Sequence, residues 1–231
     1  MNIAIVLSGG TGSRMGLDVP KQYIEVGGKP IIIYSMSVLE LNSNIDAIQI
    51  VADEEWTSEI KSWCDKYEVA SKIRGYSNPG ANRQLSIYNA LRDIKKYAKD
   101  NDVVIVHDAA RPLVTMGLID RSLDELPGYD GVIPVIPMKD TVYLSHTGDT
   151  IDSLLNRQEI FAGQAPETFV FGKYLAANQA LVDSGEIEKI NGSTEPAIKA
   201  GMKMHMIDGD ERNFKITTKS DLARFMEMVK R

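Results

Sequence analysis

Five short stretches of the chain are apolar and rich in β-branched residues: Ile3 to Leu7, Ala47 to Val51, Val103 to His107, Gly131 to Ile136 and Lys203 to Ile207. The first, third and fourth are nearly unbroken hydrophobic runs, the pattern of strands covered on both faces. Between the strands, apolar positions recur at helical spacing over Ile31 to Leu41, Trp56 to Tyr67, Arg83 to Lys99, Met116 to Leu126 and Phe171 to Ser184. A final helix is predicted over Ser220 to Lys230, capped by Thr218 or Ser220. Strands alternating with helices imply one α/β domain over residues 1–231, built on a mainly parallel twisted sheet flanked by crossover helices. Residues 138–157 break the alternation. There, two short alternating pieces flank His146-Thr147-Gly148-Asp149, which predicts a protruding β-hairpin arm. An arm of that kind usually needs a partner, so a homodimer formed through it is expected.

Composition narrows the choice of ligand. The formal net charge is −6 and the sequence pI is about 5.2, so the surface as a whole repels nucleic acid and anionic lipid. A locally basic site for a small anion remains compatible with that charge. The single cysteine, Cys64, excludes an intrachain disulfide, and with no second Cys or paired His nearby it reads as a half-buried structural thiol. The opening residues lack the basic flank and apolar length of a signal peptide, and no run approaches the roughly 18 apolar residues of a membrane span. A cytoplasmic protein with neither a membrane nor a nucleic-acid partner is expected.

The first strand runs into Ser8-Gly9-Gly10-Thr11-Gly12-Ser13-Arg14-Met15-Gly16. Open α/β sheets bind ligands at the carboxyl ends of their strands, and a glycine-rich loop there lets backbone N–H groups approach phosphates closely. Arg14 adds a planar fork of donors, and Lys21 follows Pro20, so the segment is suited to a triphosphate. It is not a P-loop, because no Lys-Ser or Lys-Thr follows the glycines. It is a poor dinucleotide fingerprint, because the third glycine comes one place late. A purely structural turn leaves the adjacent Arg and Lys unexplained.

Further along, Val103 to Val106 ends in His107-Asp108-Ala109-Ala110-Arg111-Pro112. A strand-end carboxylate beside a triphosphate loop is a candidate for holding Mg²⁺. Gly80-Ala81-Asn82-Arg83-Gln84-Leu85-Ser86 opens a helix whose free N–H groups suit an anion or a base edge. Near the end, Lys215 lies between Phe214 and Ile216, which could aim it into a site. His146 and His205 have no metal-ligand spacing, and neither a Ser-His-Asp order nor a nucleophile elbow is present.

Taken together, LSGGTGSRMG, PKQY, GANRQLS, VHDAARP, KDTV, NR, GQAPETF and NFKITTKSDL resemble, in order and spacing and over essentially the whole chain, one family. It comprises 2-C-methyl-D-erythritol 4-phosphate and ribitol-5-phosphate cytidylyltransferases. The resemblance implies a single-domain Rossmann-like nucleotidyltransferase fold with a dimerising arm, CTP and a polyol phosphate as substrates, and Mg²⁺ as cofactor. It implies that CTP is bound by Leu7, Ser8, Gly9, Gly10, Thr11 and Gly12, with the base read near Gly80, Arg83 and Ser86. Catalytic roles fall to Arg14, Lys21 and Lys215. The acceptor would meet Asp108, Ala109, Arg111, Thr141, Arg157 and Lys215, with Thr141 and Arg157 reaching across the dimer and Asp108 also serving the metal.

Several positions depart from the family pattern. Ser8 stands where Ala is usual, and Gln164-Ala165-Pro166-Glu167 replaces Gln-Thr-Pro-Gln, which removes a hydroxyl and adds a negative charge. Thr194-Glu195 stands where Thr-Asp is common. Asn156-Arg157 looks like the ribitol branch, whereas HDAARP is more typical of the methylerythritol branch, so both acceptors stay open. Two other readings keep the fold: transfer of a different nucleotide, or CTP binding without catalysis.

Overall fold

A computed structural model describes residues 1–10, 19–190 and 192–230. Its strands, in chain order, are β1 (Asn2–Leu7), β2 (Glu25–Val26), β3 (Lys29–Pro30), β4 (Ala47–Val51), β5 (Ile73–Ser77), β6 (Val103–Asp108), β7 (Gly131–Pro137), β8 (Val142–Leu144), β9 (Ser153–Leu155), β10 (Phe161–Gly163), β11 (Glu167–Val170) and β12 (Met204–Asp208). The helices are α1 (Ile31–Leu41), α2 (Glu54–Lys66), α3 (Arg83–Ile94), α4 (Met116–Asp124), α5 (Phe171–Asp183), α6 (Glu195–Lys199) and α7 (Lys219–Val229).

Eight strands form one sheet in the order β10-β7-β11-β6-β1-β4-β5, with β12 also paired to β7. The pairs β1–β4, β1–β6, β4–β5 and β7–β12 are parallel, and β10 and β11 run antiparallel to their neighbours. Side chains alternate across each central strand. Ile3, Ile5, Val104 and Val106 enter the core shared with α3 and α5, while Ala4, Val6, Ile48, Ile50 and Ile105 enter the core that includes α1 and α2. That two-sided burial is why the buried positions of these strands are nearly all apolar, Gln49 of β4 and the strand-end His107 and Asp108 of β6 being the exceptions. Cys64, expected half-buried, is fully buried in the second core, where desolvation pushes its thiol up to about 12.

One helix end and three strands differ most from expectation. The helix predicted to reach Lys99 ends at Ile94, where Tyr97 and Ala98 both donate to the Ile94 carbonyl and turn the chain back toward β6. The strands β5, β10 and β11 were not anticipated: β5 contains Arg74 and Gly75, β10 is three residues long and ends in Gly163, and β11 is four residues long and opens with Glu167. The arm is present as the β8–β9 hairpin, with Tyr143, Leu144, Ile151 and Leu154 exposed on it. Among the described residues no helix is long and apolar enough to cross a membrane.

Candidate active site

The carboxyl ends of β1, β4, β5 and β6 share one edge of the sheet because these strands run parallel. Leu7 is in register with Asp108, and Ala109 N–H donates to the Leu7 carbonyl at 3.0 Å. The start of the glycine loop and the Asp108 turn therefore lie side by side, the geometry of a ligand crevice in an open α/β sheet.

The first loop is tied down from behind. Gln22 Nε2 donates to the Ser8 carbonyl and, at 2.8 Å, to the Gly10 carbonyl, and Tyr23 O–H donates to the Ser8 carbonyl at 3.0 Å. Tyr23 is held against Trp56 and Trp63, with ring centroids 4.6 and 5.7 Å away. Lys21 begins the short 3₁₀ turn that carries Gln22 and Tyr23, so the same segment that braces the loop brings a cation to it. Ser8 was expected to bind nucleotide, but its buried hydroxyl and its N–H both donate to the Val51 carbonyl, at 2.7 and 2.8 Å, and its carbonyl is taken by Gln22 and Tyr23, so it fixes the start of the loop instead. At Gly9 a Cβ would come within 2.6 Å of Pro79 Cβ, so the close approach of these two loops requires glycine. Thr11, Gly12 and Arg14 lie outside the described residues.

The loop before α3 is organised by its own polar side chains. Asn82 caps the helix by accepting from Leu85 N–H at 2.8 Å, and Ser86 Oγ accepts from Gly80 N–H at 3.0 Å while donating to the Asn82 carbonyl. A Cβ on Gly80 would fall 2.3 Å from Leu85 Cβ, so this turn also needs glycine. Arg83, expected beside the nucleotide, reaches Asp108. Its Nε and Nη2 donate to Asp108 Oδ1 at 3.3 and 3.1 Å.

Asp108 is the centre of a cation cluster. Lys215 Nζ lies 3.0 Å from Oδ2 and Arg111 Nε lies 3.6 Å from it, opposite the Arg83 contact on Oδ1. Burial alone would raise the Asp108 carboxyl, but Arg83, Lys215 and Arg111 together hold it well below the usual carboxylate range. Lys215 reaches the site because the 210–216 segment is stitched to the sheet. Arg111 Nη1 donates to the Asn213 carbonyl at 2.7 Å, Ile216 N–H to the Ala110 carbonyl at 2.9 Å, and Asn213 Nδ2 to the Ala165 carbonyl at 2.7 Å. Arg111 Nε and Asn213 Oδ1 are buried without a hydrogen-bond partner, polar capacity left open beside the cluster. Ala109, expected to meet the acceptor, is fully buried with its N–H spent on the Leu7 carbonyl, so it shapes the turn from beneath.

The remaining candidates sit apart in sequence and surroundings. Thr141 and Arg157 are exposed on the arm, where Arg157 Nη1 donates to the Lys139 carbonyl at 2.8 Å. Glu167, noted in the sequence only as a departure from the family pattern, was assigned no site role. It is 9% exposed, accepts a hydrogen bond from Ser193 Oγ, and faces Arg83, Arg111 and Asp108 electrostatically. Its sequence signal is the acid standing where the family pattern has Gln.

The expected metal role of Asp108 does not fit this arrangement. Both oxygens are engaged by cations, and among the described residues no three His, Cys, Asp or Glu converge to hold an ion. Nucleotidyltransferases generally use a divalent metal, but these residues do not form a protein cage for one.

The chain matches, over residues 2–231, the family described as 2-C-methyl-D-erythritol 4-phosphate cytidylyltransferase. It is 34% identical to the 2-C-methyl-D-erythritol 4-phosphate cytidylyltransferase of Geotalea uraniireducens, covering 95% of this chain and 92% of that protein. It is 30% identical to the ribitol-5-phosphate cytidylyltransferase of Vibrio parahaemolyticus, covering 99% and 96%. The fold superposes with a TM-score of 0.84 on 4-diphosphocytidyl-2C-methyl-D-erythritol synthase from Anaerococcus prevotii, at 25% identity and covering 100% and 96% of the two chains. The corresponding TM-score is 0.82 for the Francisella tularensis 2-C-methyl-D-erythritol 4-phosphate cytidylyltransferase, at 26% identity and covering 97% and 99%. A glycine loop braced beside a carboxylate ringed by cations, on a fold and sequence shared end to end with these proteins, identifies the chain as a CTP-dependent nucleotidyltransferase acting on a polyol phosphate and a member of the 2-C-methyl-D-erythritol 4-phosphate cytidylyltransferase family.

Proposed function

We propose that the enzyme joins the phosphate of 2-C-methyl-D-erythritol 4-phosphate or ribitol 5-phosphate to the cytidylyl group of CTP, releasing pyrophosphate. An acceptor phosphate oxygen attacks the α-phosphorus of CTP. The new P–O bond forms as the bond from the α-phosphorus to the bridging oxygen breaks, and its electron pair leaves with pyrophosphate. Two anions must meet, so the chemistry asks mainly for positioning and positive charge.

The observation that carries this reading is the cluster at Asp108, where Lys215, Arg83 and Arg111 converge next to the loop that begins at Ser8. In this scheme Lys215 moves from Asp108 to the incoming phosphate, while Asp108 keeps Arg83 and Arg111 aimed at it. Backbone groups from Gly9 to Gly12 hold the triphosphate, with Arg14 and Lys21 clamping the charge that develops on the leaving group. Gly80 and Ser86 shape the pocket for the base. The apolar arm, exposed at Tyr143, Leu144, Ile151 and Leu154, supports a homodimer in which Thr141 and Arg157 complete the partner's acceptor site. Mg²⁺ is the proposed ion, since hard phosphate oxygens are its preferred ligands, and it would travel with CTP rather than reside on Asp108. The cytoplasm is the proposed compartment.

Pyrophosphate release from CTP tests the proposal, with the two polyol phosphates supplied in parallel. Release with one acceptor alone identifies the substrate. Silence with both, alongside measurable CTP binding, would refute the acceptor assignment.

A further inference from the structure

Glu167 opens β11 directly opposite Val106 on β6. Paired residues in a sheet share a face, so its side chain lies on the side of Val106 and Phe169, where α3 and α5 pack, and where Asp108 also points two residues on. A buried acid there needs an anchor. Ser193 Oγ donates to it, the Ser193 carbonyl accepts from Tyr174 O–H at 2.7 Å, and Tyr174 O–H accepts from Gln84 Nε2 at 3.2 Å, next in sequence to Arg83. The carboxyl is thus fixed by a buried network spanning β11, α5, α3 and the loop before α6. The transfer chemistry described above gives it no task. The charged groups facing it are Arg83 from α3, Asp108 from β6 and Arg111 from the loop after β6. Lys215 reaches the cluster through Asp108 Oδ2, at 3.0 Å.

We propose that Glu167 is a specificity-determining residue that sets the positive charge of the acceptor pocket: held by Ser193 beside Arg83, Arg111 and Asp108, its carboxylate offsets one of the cations that receive the acceptor's phosphate. This inference rests on the polyol-phosphate reading of that pocket. Three cations face Asp108 alone when Glu167 is neutral and two carboxylates when it is ionised, so one negative charge decides how strongly a phosphate dianion is held. Weaker capture of the phosphate itself favours acceptors that add contacts through their hydroxyls over free phosphate. Burial raises the Glu167 carboxyl above the ordinary range against the pull of Arg83, the Ser193 hydrogen bond and Arg111, so the offset develops as pH rises.

The test compares the wild type with Glu167→Gln, whose amide oxygen still accepts from Ser193. The readouts are acceptor KM and kcat at saturating CTP, from about pH 5.5 to about pH 9, and the Kd of inorganic phosphate by calorimetry. At the alkaline end Glu167→Gln should show a KM and a phosphate Kd lower by roughly three- to tenfold, with a smaller change in kcat. The two enzymes should converge as pH falls and Glu167 is protonated. The acceptor's own second ionisation near pH ~6 affects both enzymes alike and cancels in the comparison. Glu167→Asp, which restores the charge, should restore the weaker binding and its pH dependence. Coincident KM and Kd curves at every pH would overturn the proposal. So would a fall in kcat with unmoved KM and a lowered melting temperature, the mark of a purely structural acid. If the wild type turns over neither polyol phosphate, the functional reading fails on its own, and the phosphate affinities still decide the role of Glu167.

Discussion

Replacing Asp108 with Asn removes the negative charge on which Arg83, Arg111 and Lys215 converge, at 3.1, 3.6 and 3.0 Å, while nearly preserving the shape of the side chain. Breaking a buried ion pair by deleting one partner costs about 3–5 kcal/mol, because the other charge is stranded. Here the cost is smaller. The Arg83 and Lys215 side chains are 31% and 33% exposed and can turn toward water, which brings the expected loss to about 2–3 kcal/mol. With an unfolding entropy of ~2.1 cal/mol/K per residue, a chain of this length loses ~0.5 kcal/mol for each degree, so the melting temperature should fall by ~4–6 °C at neutral pH. The sign with pH follows from the depressed carboxyl. Its stabilisation is complete above the unfolded value of ~3.9 and is lost as pH falls through the lower folded value, so the gap between the two proteins should persist down to about pH 5 and close only in stronger acid. Scanning fluorimetry with and without inorganic phosphate checks both the size and the cause. An anion that fills the charge vacancy should raise the variant's melting temperature by at least about twice the rise it gives the wild type. A variant as stable as wild type in phosphate-free buffer, or an equal phosphate effect on both, would refute the argument that these cations are held ready for an anion by Asp108.

Three other expectations follow from the same geometry. Lys21→Ala should lower kcat by about 100-fold or more, with a much smaller change in the KM for CTP, because Lys21 is assigned to charge that develops on the leaving group, whereas Lys215→Ala, which removes the cation that meets the incoming phosphate, should raise the acceptor KM as well; equal losses of kcat and CTP affinity for Lys21→Ala in steady-state assays would contradict that assignment. His107 is fully buried and desolvation pushes it down to about 4, so between its unfolded value of ~6.5 and that value the unfolded chain binds a proton that the folded chain does not. Stability should therefore fall by about 2 kcal/mol from pH 7 to pH 5 in urea titrations, and His107→Gln should remove most of that slope. Introducing charge on the exposed apolar arm with Tyr143→Glu and Leu154→Glu should yield a monomer by light scattering and depress turnover together; a dimer that survives both changes would place the interface elsewhere.

The parts of the fold that follow from local pattern were legible in the sequence. Ala47–Val51 and Ile31–Leu41 lie where hydrophobic periodicity put them, because a central strand and a core-facing helix both write their burial into consecutive residues. The antiparallel strand Glu167–Val170 was not, since a four-residue strand beginning with an acid carries no periodicity and owes its existence to pairing with β6 and β7. The site divides in the same way. Asp108 and Lys215 announce themselves as charges set in apolar runs. That Arg83 belongs to Asp108, that Ser8 turns its hydroxyl inward to Val51, and that Glu167 rests on Ser193 are relations between segments distant in sequence, visible only once the chain is folded.

The bracing of the first loop by Gln22 and Tyr23 has an electrical consequence. A peptide carbonyl is the negative end of a strong dipole, and one directed at a triphosphate would repel it. By drawing the Ser8 and Gly10 oxygens backward onto its own donors, the 3₁₀ turn retracts two such poles from the path of the nucleotide and screens them. The reorganisation that a limp loop would undergo at every binding event is completed once, when the protein folds. The positive potential that greets the substrate is in this way partly made by removing negative potential, with no additional charged side chain required.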